Sequence, residues 1–193
     1  MESKQEFLEI FYDNIDREGA DKLLEWLEKS DFFSAPASGR RHSCVEGGLC
    51  QHSVFVYKRF VKILECEYGQ NWQQKVSPES VAIIALLHDV CKVGCYTVDY
   101  KNAKDENGVW QKVPYFKFDD TLPYGHGEKS VYIISSFIKL TRDEAMAINW
   151  HMGGFDHRVT GGYYAFQNVF YQYPLALLFH IADIEATYLD ETC

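Results

Sequence analysis

The feature that most constrains this chain is an apolar run, residues 81–87, that leads directly into His88 and Asp89. Ser77 and Pro78 precede the run as a typical N-cap and first helical residue, so the pattern predicts a buried helix that runs through both polar residues. The residues one and two turns before His88 are apolar, which directs its imidazole inward. A buried carboxylate destabilises a fold by several kcal/mol unless it is paired or bound to a metal ion. The fold must therefore supply a partner for Asp89.

Two more polar residues lie on apolar faces of predicted helices. His52 shares its face with Phe55 and Val56, and Asp183 shares its face with Phe179. A single inward histidine is more often a buried core residue than a ligand. Neither aspartate has an obvious lysine or arginine partner in its own helix, so imidazoles and carboxylates that converge on a cation are the economical solution. Mixed nitrogen and oxygen ligands favour Fe, Mn, Co, Ni or Zn over Ca or Mg.

The remaining hydrophobic pattern predicts an all-α fold, a compact helical bundle with a small inserted β-hairpin at about residues 95–118. Apolar residues alternate with polar ones on both sides of the turn-forming segment 105–108, whereas helical spacing dominates elsewhere. Helices are predicted over residues 3–15, 20–29, 48–68, 78–91, 127–139, 142–150 and 174–189. The sequence contains no long linker or repeat, so we predict one domain, residues 1–193, that begins with a helical hairpin in residues 1–30.

Composition narrows the class of protein. The 193 residues include 19 Lys and Arg against 28 Asp and Glu, and the resulting net charge of −9 disfavours tight binding to long nucleic acid. The six cysteines form no CxxC pair, which fits reduced thiols and predicts a cytoplasmic protein. We expect no secretory signal, because acids interrupt the apolar residues of the N-terminal segment. No apolar stretch approaches the ~20 residues needed to cross a membrane.

Five short segments give the chain a family resemblance. They are GGLCQHS around His52, LLHDVCK around His88, GHGEKS around His126, NWHMGG around His151 and HIADIEA around Asp183. Their order along the chain resembles the signature of the HD-domain superfamily of metal-dependent phosphohydrolases. The resemblance covers roughly residues 45–190, and the ordered set is far more specific than the His-Asp dipeptide alone.

The resemblance implies a ligand set. The four-residue version of the family holds one metal ion with the equivalents of His52, His88, Asp89 and Asp183. The six-residue version adds a second ion on the equivalents of His126 and His151, with the aspartate of the His-Asp pair as the bridge. All six positions are present here. The implied cofactor is therefore one or two divalent transition metal ions (Fe, Mn, Co, Ni or Zn).

The resemblance also implies a function. A metal-bridging hydroxide would hydrolyse a phosphomonoester or phosphodiester of a small molecule, and a nucleotide is the favoured substrate class. Asp89 and Lys92 are the predicted catalytic residues, with Lys92 offering its ammonium group to a phosphate oxygen. The alternative for Lys92 is a surface lysine at a helix C-terminus. Arg158 is a further candidate substrate contact, for which a solvated loop is the alternative. Lys129 is another, because the helix dipole disfavours a cation in the first turn of a helix and a phosphate nearby would offset this.

Several hypotheses stay open at the level of sequence. Some six-ligand relatives, such as myo-inositol oxygenase, use a mixed-valent di-iron centre to activate oxygen, so an oxygenase is a second hypothesis. A third hypothesis is a nucleotide-binding module without catalytic activity. A basic cluster is formed by Arg40, Arg41 and His42. It suits either a patch at the entrance to the site or a solvated loop. His180 has two interpretations: it orients a metal ligand, or it is a core residue. The sequence pattern is compatible with a homo-oligomer. Two roles for the hairpin also stay open, namely a cover over the site or a subunit interface.

Overall fold

The apolar spacing of the sequence produces a mostly helical structure with one two-stranded antiparallel sheet, as predicted. A computed structural model describes residues 2–39 and 43–191. The helices are α1 (Glu2–Asn14), α2 (Ala20–Lys29), α3 (Gly48–Tyr68), α4 (Pro78–Leu87), α5 (His126–Ser135), α6 (Arg142–Trp150), α7 (His157–Thr160), α8 (Ala165–Gln172) and α9 (Pro174–Glu185). Short 3-10 turns occupy Trp72–Gln74, Val90–Lys92 and Gly153–Phe155, and a π-helical turn, Ala186–Asp190, follows α9.

Helix α4 lies at the centre of the bundle, because every residue from Val81 to Leu87 is fully buried. A helix that is apolar on all sides requires neighbours on all sides. Helices α1, α3 and α6 pack against it, and α9 packs against both α3 and α6. Phe60 of α3 and Phe179 of α9 meet at a ring-centroid distance of 5.2 Å in this core. The centre of the molecule is therefore built from α3, α4, α6 and α9.

The predicted hairpin consists of β1 (Tyr96–Lys104) and β2 (Trp110–Phe118). The strands pair in register from Tyr96 opposite Phe118 to Lys104 opposite Trp110. Asp105 begins the turn and accepts hydrogen bonds from the backbone of Asn107 and Val109, each at 2.9 Å. Because an Asp side chain that bonds its own turn favours this geometry, the predicted turn segment is confirmed.

Some predicted helix boundaries are wrong. Helix α4 ends at Leu87 and not at Cys91, because the backbone of Asp89 (φ −105°, ψ 15°) leaves the helix and tightens into the 3-10 turn. The predicted helix 127–139 ends at Ser135, and the chain continues in a turn. Helices α7 and α8 were not predicted. The aromatic residues of α8 conceal its helical period in the sequence, yet Phe170 packs against α9 through His180 at a ring-centroid distance of 5.5 Å.

No helix among residues 2–39 and 43–191 is long and apolar enough to span a membrane.

A buried ion pair fastens the N-terminal helical hairpin to the bundle. Both carboxylate oxygens of Glu144 in α6 accept hydrogen bonds from the Arg17 guanidinium, at 2.7 and 3.0 Å. The hydroxyl of Ser80 donates to the same carboxylate at 2.7 Å, and Arg17 also pairs with Glu79. The Glu144 side chain is fully buried, so its charge depends on these donors.

We expect the Glu144→Gln variant to be less stable by about 3 kcal/mol at neutral pH, because it leaves Arg17 partly unpaired. Burial alone would raise the pKa of Glu144. The hydrogen bonds from Arg17 and Ser80 outweigh this effect and hold the pKa below its ordinary value of 4.5. The charge therefore stabilises the fold above pH 4.5, and this contribution disappears as the pH falls through the folded-state pKa.

Urea unfolding at several pH values measures this effect, and the gap between the wild type and Glu144→Gln should narrow in acid. The exposed neighbour Asp143 provides the control, since Asp143→Asn should change little. A gap that stays constant with pH would contradict the assignment.

Candidate metal centre

Three side chains from three helices converge beside the core. His52 lies on α3, His88 follows α4 and Asp183 lies on α9. The Nε2 atom of His52 is 3.1 Å from Nε2 of His88 and 3.3 Å from Oδ1 of Asp183. One ligand atom from each residue lies within 4.8 Å of the other two, and both imidazoles are buried. We call this group position A.

Two further histidines face the opposite side of Asp89. His126 begins α5 and His151 ends α6, and their ring centroids are 5.1 Å apart. We call these two residues position B. Gly127 permits this approach, because a Cβ atom there would lie 2.3 Å from the backbone oxygen of Asn149. Only glycine therefore allows the start of α5 to lie this close to the end of α6.

The Asp89 carboxylate lies between the two positions. Its Oδ2 atom is 3.5 Å from Nε2 of both His52 and His88. Its Oδ1 atom is 2.8 Å from Nε2 of His126 and 3.6 Å from Nε2 of His151. The structure thus brings all six predicted ligands together, with one oxygen of Asp89 facing each position.

Neighbouring acceptors orient the imidazoles of three of these histidines. Nδ1 of His88 donates to the backbone oxygen of Ala85 at 2.9 Å, and Nδ1 of His151 donates to Ile148 at 2.6 Å. Nδ1 of His52 contacts Oε1 of Glu191 at 2.5 Å. An Nδ1 hydrogen held in this way leaves the Nε2 atom to present its lone pair, as in metal-bound histidines.

These lone pairs require a positive charge at the centre. Two Nε2 atoms with lone pairs repel each other at 3.1 Å unless a proton or a cation lies between them. The Nε2 atom of His151 is buried and has no hydrogen-bond partner. A buried nitrogen without a partner is unfavourable, and a metal ion would satisfy it. The residues therefore fit a metal ion, and the prediction of a His and Asp cluster able to hold one is confirmed.

The electrostatics of the cluster are dominated by its carboxylates. Burial would raise the pKa of Asp89, but the Lys92 ammonium and the nearby imidazoles hold it well below its usual value. Burial opposes protonation of His52, but Asp183 and Glu191 outweigh it and raise its pKa to about 10. Burial lowers the pKa of His88 to about 3. The aspartates stay charged, and in the metal-free chain a proton on His52 supplies the positive charge.

A cavity of about 790 Å³ opens onto the cluster. Five of the six predicted ligands and Lys92 line it, whereas the fully buried His88 does not. Tyr96 and Phe118, the paired residues at the base of the hairpin, line one wall. The base of the hairpin therefore forms part of the site, while its other end, with exposed Trp110, extends away from it.

The structure separates the three predicted substrate contacts. Lys92 lines the cavity and its Nζ atom is 2.6 Å from Oδ2 of Asp89. Lys129 also lines the cavity, where its buried Nζ atom contacts Asp120 at 2.5 Å. Arg158 is not among the residues that line it. Its guanidinium pairs with Asp156 and Glu128 and lies over the Trp150 ring.

Other sequence candidates have different surroundings. Nδ1 of His180 contacts the backbone oxygen of His151, which places it behind a predicted ligand as one sequence hypothesis proposed. The ring also lies against Gly153, where a Cβ atom would be 2.5 Å away. The basic cluster of Arg40, Arg41 and His42 lies outside the described residues.

Sequence reasoning missed Glu191, the residue that contacts Nδ1 of His52. Its side chain is fully buried, although it follows the last helix. The π-helical turn after α9 turns it inward, and Arg59 holds the preceding Asp190 at 2.5 and 2.6 Å. The sequence pattern carries no signal for this contact, because the wider turn breaks the period of α9.

We expect Glu191→Ala to weaken metal binding by about 10-fold to 100-fold, because His52 loses the acceptor that orients it. Glu191→Gln keeps an oxygen acceptor and should lose less. Competition with a chromophoric chelator measures the affinity. Glu185→Ala, which changes an acid on the same C-terminal segment, is the matched control. Equal affinities for Glu191→Ala and the wild type would contradict this role.

Comparisons with known proteins add no family assignment. No protein-family model matches the chain, and neither the search of curated proteins nor the search of solved structures found a match. The functional argument therefore rests on the site itself.

Proposed function

We propose that this chain is a metal-dependent phosphohydrolase of the HD-domain type that acts on a small phosphate ester. One observation carries the proposal. The Oδ2 atom of Asp89 faces Nε2 of His52 and His88 at 3.5 Å, and its Oδ1 atom faces Nε2 of His126 and His151 at 2.8 and 3.6 Å. A carboxylate in this place suits a bridge between two metal ions, as the family resemblance implies.

The proposed ligands are His52, His88 and Asp183 at position A and His126 and His151 at position B, with Asp89 shared. Divalent ions bound there supply a water of lowered pKa and stabilise charge on a phosphoryl oxygen. The carboxylates keep the ligand set anionic, and the surrounding core excludes water from the side away from the cavity.

The cavity suits an anionic substrate with an apolar part. Lys92 and Lys129 present ammonium groups that a phosphate can contact, each now paired with an aspartate. Tyr96, Phe118 and Phe155 supply aromatic surface on the walls, which suits the base of a nucleotide. The cavity volume of about 790 Å³ is in the usual range for small-molecule sites. A small phosphoester is therefore a better candidate than long nucleic acid.

Phosphate release under anaerobic conditions tests the proposal. Metal-free protein is loaded with Mn, Co, Ni, Zn or Fe(II) and given a panel of nucleoside monophosphates, cyclic nucleotides and sugar phosphates. We expect hydrolysis of at least one ester with one of these metals. Oxygen consumption with iron and no phosphate release would favour the oxygenase. Nucleotide binding without turnover would favour the binding module.

We expect Lys92→Ala to lower kcat by about 100-fold while the metal content stays near that of the wild type, because the ammonium contacts the phosphoryl group and not the metal. Lys92→Arg should restore part of the rate. Steady-state kinetics with metal analysis of the same samples measure both effects, and the exposed Lys101 of the hairpin gives a control in Lys101→Ala. An unchanged kcat would show that Lys92 serves only as the partner of Asp89.

A further inference from the structure

A cysteine lies at position B that neither the hydrophobic pattern nor the family resemblance assigned to the site. Cys91 stands in the 3-10 turn directly after Asp89, and it lines the cavity floor. Its Sγ atom is 3.5 Å from Nδ1 and 3.6 Å from Nε2 of His126. Ligand atoms of Asp89, Cys91 and His126 all lie within 4.8 Å of one another.

The surroundings of Cys91 are polar, although the side chain itself is buried. It is absent from the contiguous apolar cluster that holds Val90 and Leu87. Its backbone N–H donates to the hydroxyl of Ser130 at 3.2 Å.

The distance between the sulfur and the imidazole is compatible with binding of one metal ion by both residues. A zinc ion binds sulfur at about 2.3 Å and imidazole nitrogen at about 2.0 Å, which places the two ligand atoms about 3.5 Å apart at a tetrahedral angle. The observed distance from Sγ of Cys91 to Nε2 of His126 is 3.6 Å. Oδ1 of Asp89, the oxygen that faces position B, lies 2.8 Å from the same nitrogen. The three ligand atoms therefore lie close enough to one another for one metal ion to contact all of them.

We propose that Cys91 is a thiolate ligand of the metal ion at position B, in addition to His126, His151 and Asp89. The inference rests on the metal site of the proposed function and extends its ligand set. On binding, the Sγ–H bond breaks, the proton leaves to solvent, and the sulfur electron pair forms the bond to the metal. No electron is gained or lost.

A thiolate makes the two positions chemically different. Position A offers only nitrogen and oxygen, whereas position B then includes a soft sulfur ligand. Position B therefore selects Zn, Co or Fe over Mn or Mg, and position A discriminates less.

Cobalt(II) absorption tests the ligand directly, because thiolate bound to cobalt gives a sulfur-to-metal charge-transfer band in the near ultraviolet. Wild-type protein loaded with cobalt should show the band. Cys91→Ser should lose it while cobalt remains bound at position A. Cys95→Ser is the matched control, because this neighbouring thiol is also buried but contacts Lys129. Zinc affinity of Cys91→Ser at position B should fall on the order of tenfold, with manganese affinity unchanged.

X-ray absorption of the zinc-loaded wild type provides a test that needs no variant. A sulfur neighbour at about 2.3 Å from zinc supports the proposal. Bound cobalt without the charge-transfer band, a band lost in Cys95→Ser instead, or zinc without a sulfur neighbour would each overturn it.

These results separate the inference from the proposed function. Phosphate release without a metal–sulfur bond defeats the thiolate alone. A metal–sulfur bond without phosphate release supports the thiolate and defeats the hydrolase. A chain that binds no cobalt at all defeats both.

Discussion

Asp89→Ala is expected to lose both metal positions at once and to lower phosphate release by at least about 1000-fold, equivalent to ~4 kcal/mol of transition-state stabilisation. The reason is geometric, since each oxygen of Asp89 faces one position. Mass spectrometry of protein purified without a chelator or metal-affinity tag measures the metal content per chain. We expect about two equivalents in the wild type and close to none in the variant.

A second variant makes this prediction specific. Asp183 contacts His52 and His88 but belongs only to position A. Asp183→Ala should therefore lose about one equivalent of metal and keep the other. Asp89→Asn, which preserves the volume of the side chain, separates loss of charge from loss of packing. If Asp89→Ala kept two equivalents and full activity, the shared-carboxylate site would be disproved.

Metal removal is expected to have the largest effect on stability. A ligand present at 1000 times its Kd stabilises the folded state by about 4 kcal/mol, if it does not bind the unfolded chain. For a chain of this size, that corresponds to a Tm that is lower by roughly 10 °C after chelation. The physical reason is that a metal ion held by the buried carboxylates and imidazoles stabilises only the folded state, and chelation removes this contribution.

Thermal unfolding with and without a chelator, followed by addition of metal, measures this shift. The Asp89→Ala protein is the control, because its Tm should not respond to metal. A wild-type Tm that is independent of metal would show that His52, His88 and His151 serve the core and not a metal site.

The hydrophobic pattern predicted the hairpin and seven of the nine α-helices in the described residues, because the periods of 3.6 and 2 residues follow from local backbone geometry. The inward direction of His52, His88 and Asp183 followed from the same periodicity. The errors occur where tertiary contacts override the period. Helix α4 ends at Leu87 because the backbone of Asp89 leaves the helix, and α8 packs on α6 and α9, with Phe170 against His180.

The sequence by itself determined which residue types lie on the buried helix faces and in which order they occur. Only the tertiary structure decided which atoms meet. It directed the two oxygens of Asp89 to different histidines, placed Glu191 behind His52 and put the Cys91 thiol beside His126. Such contacts join residues as far as 139 positions apart, and no local pattern specifies the distance between them. Packing of α3, α4, α6 and α9 sets those distances, and the chemistry of the site depends on them.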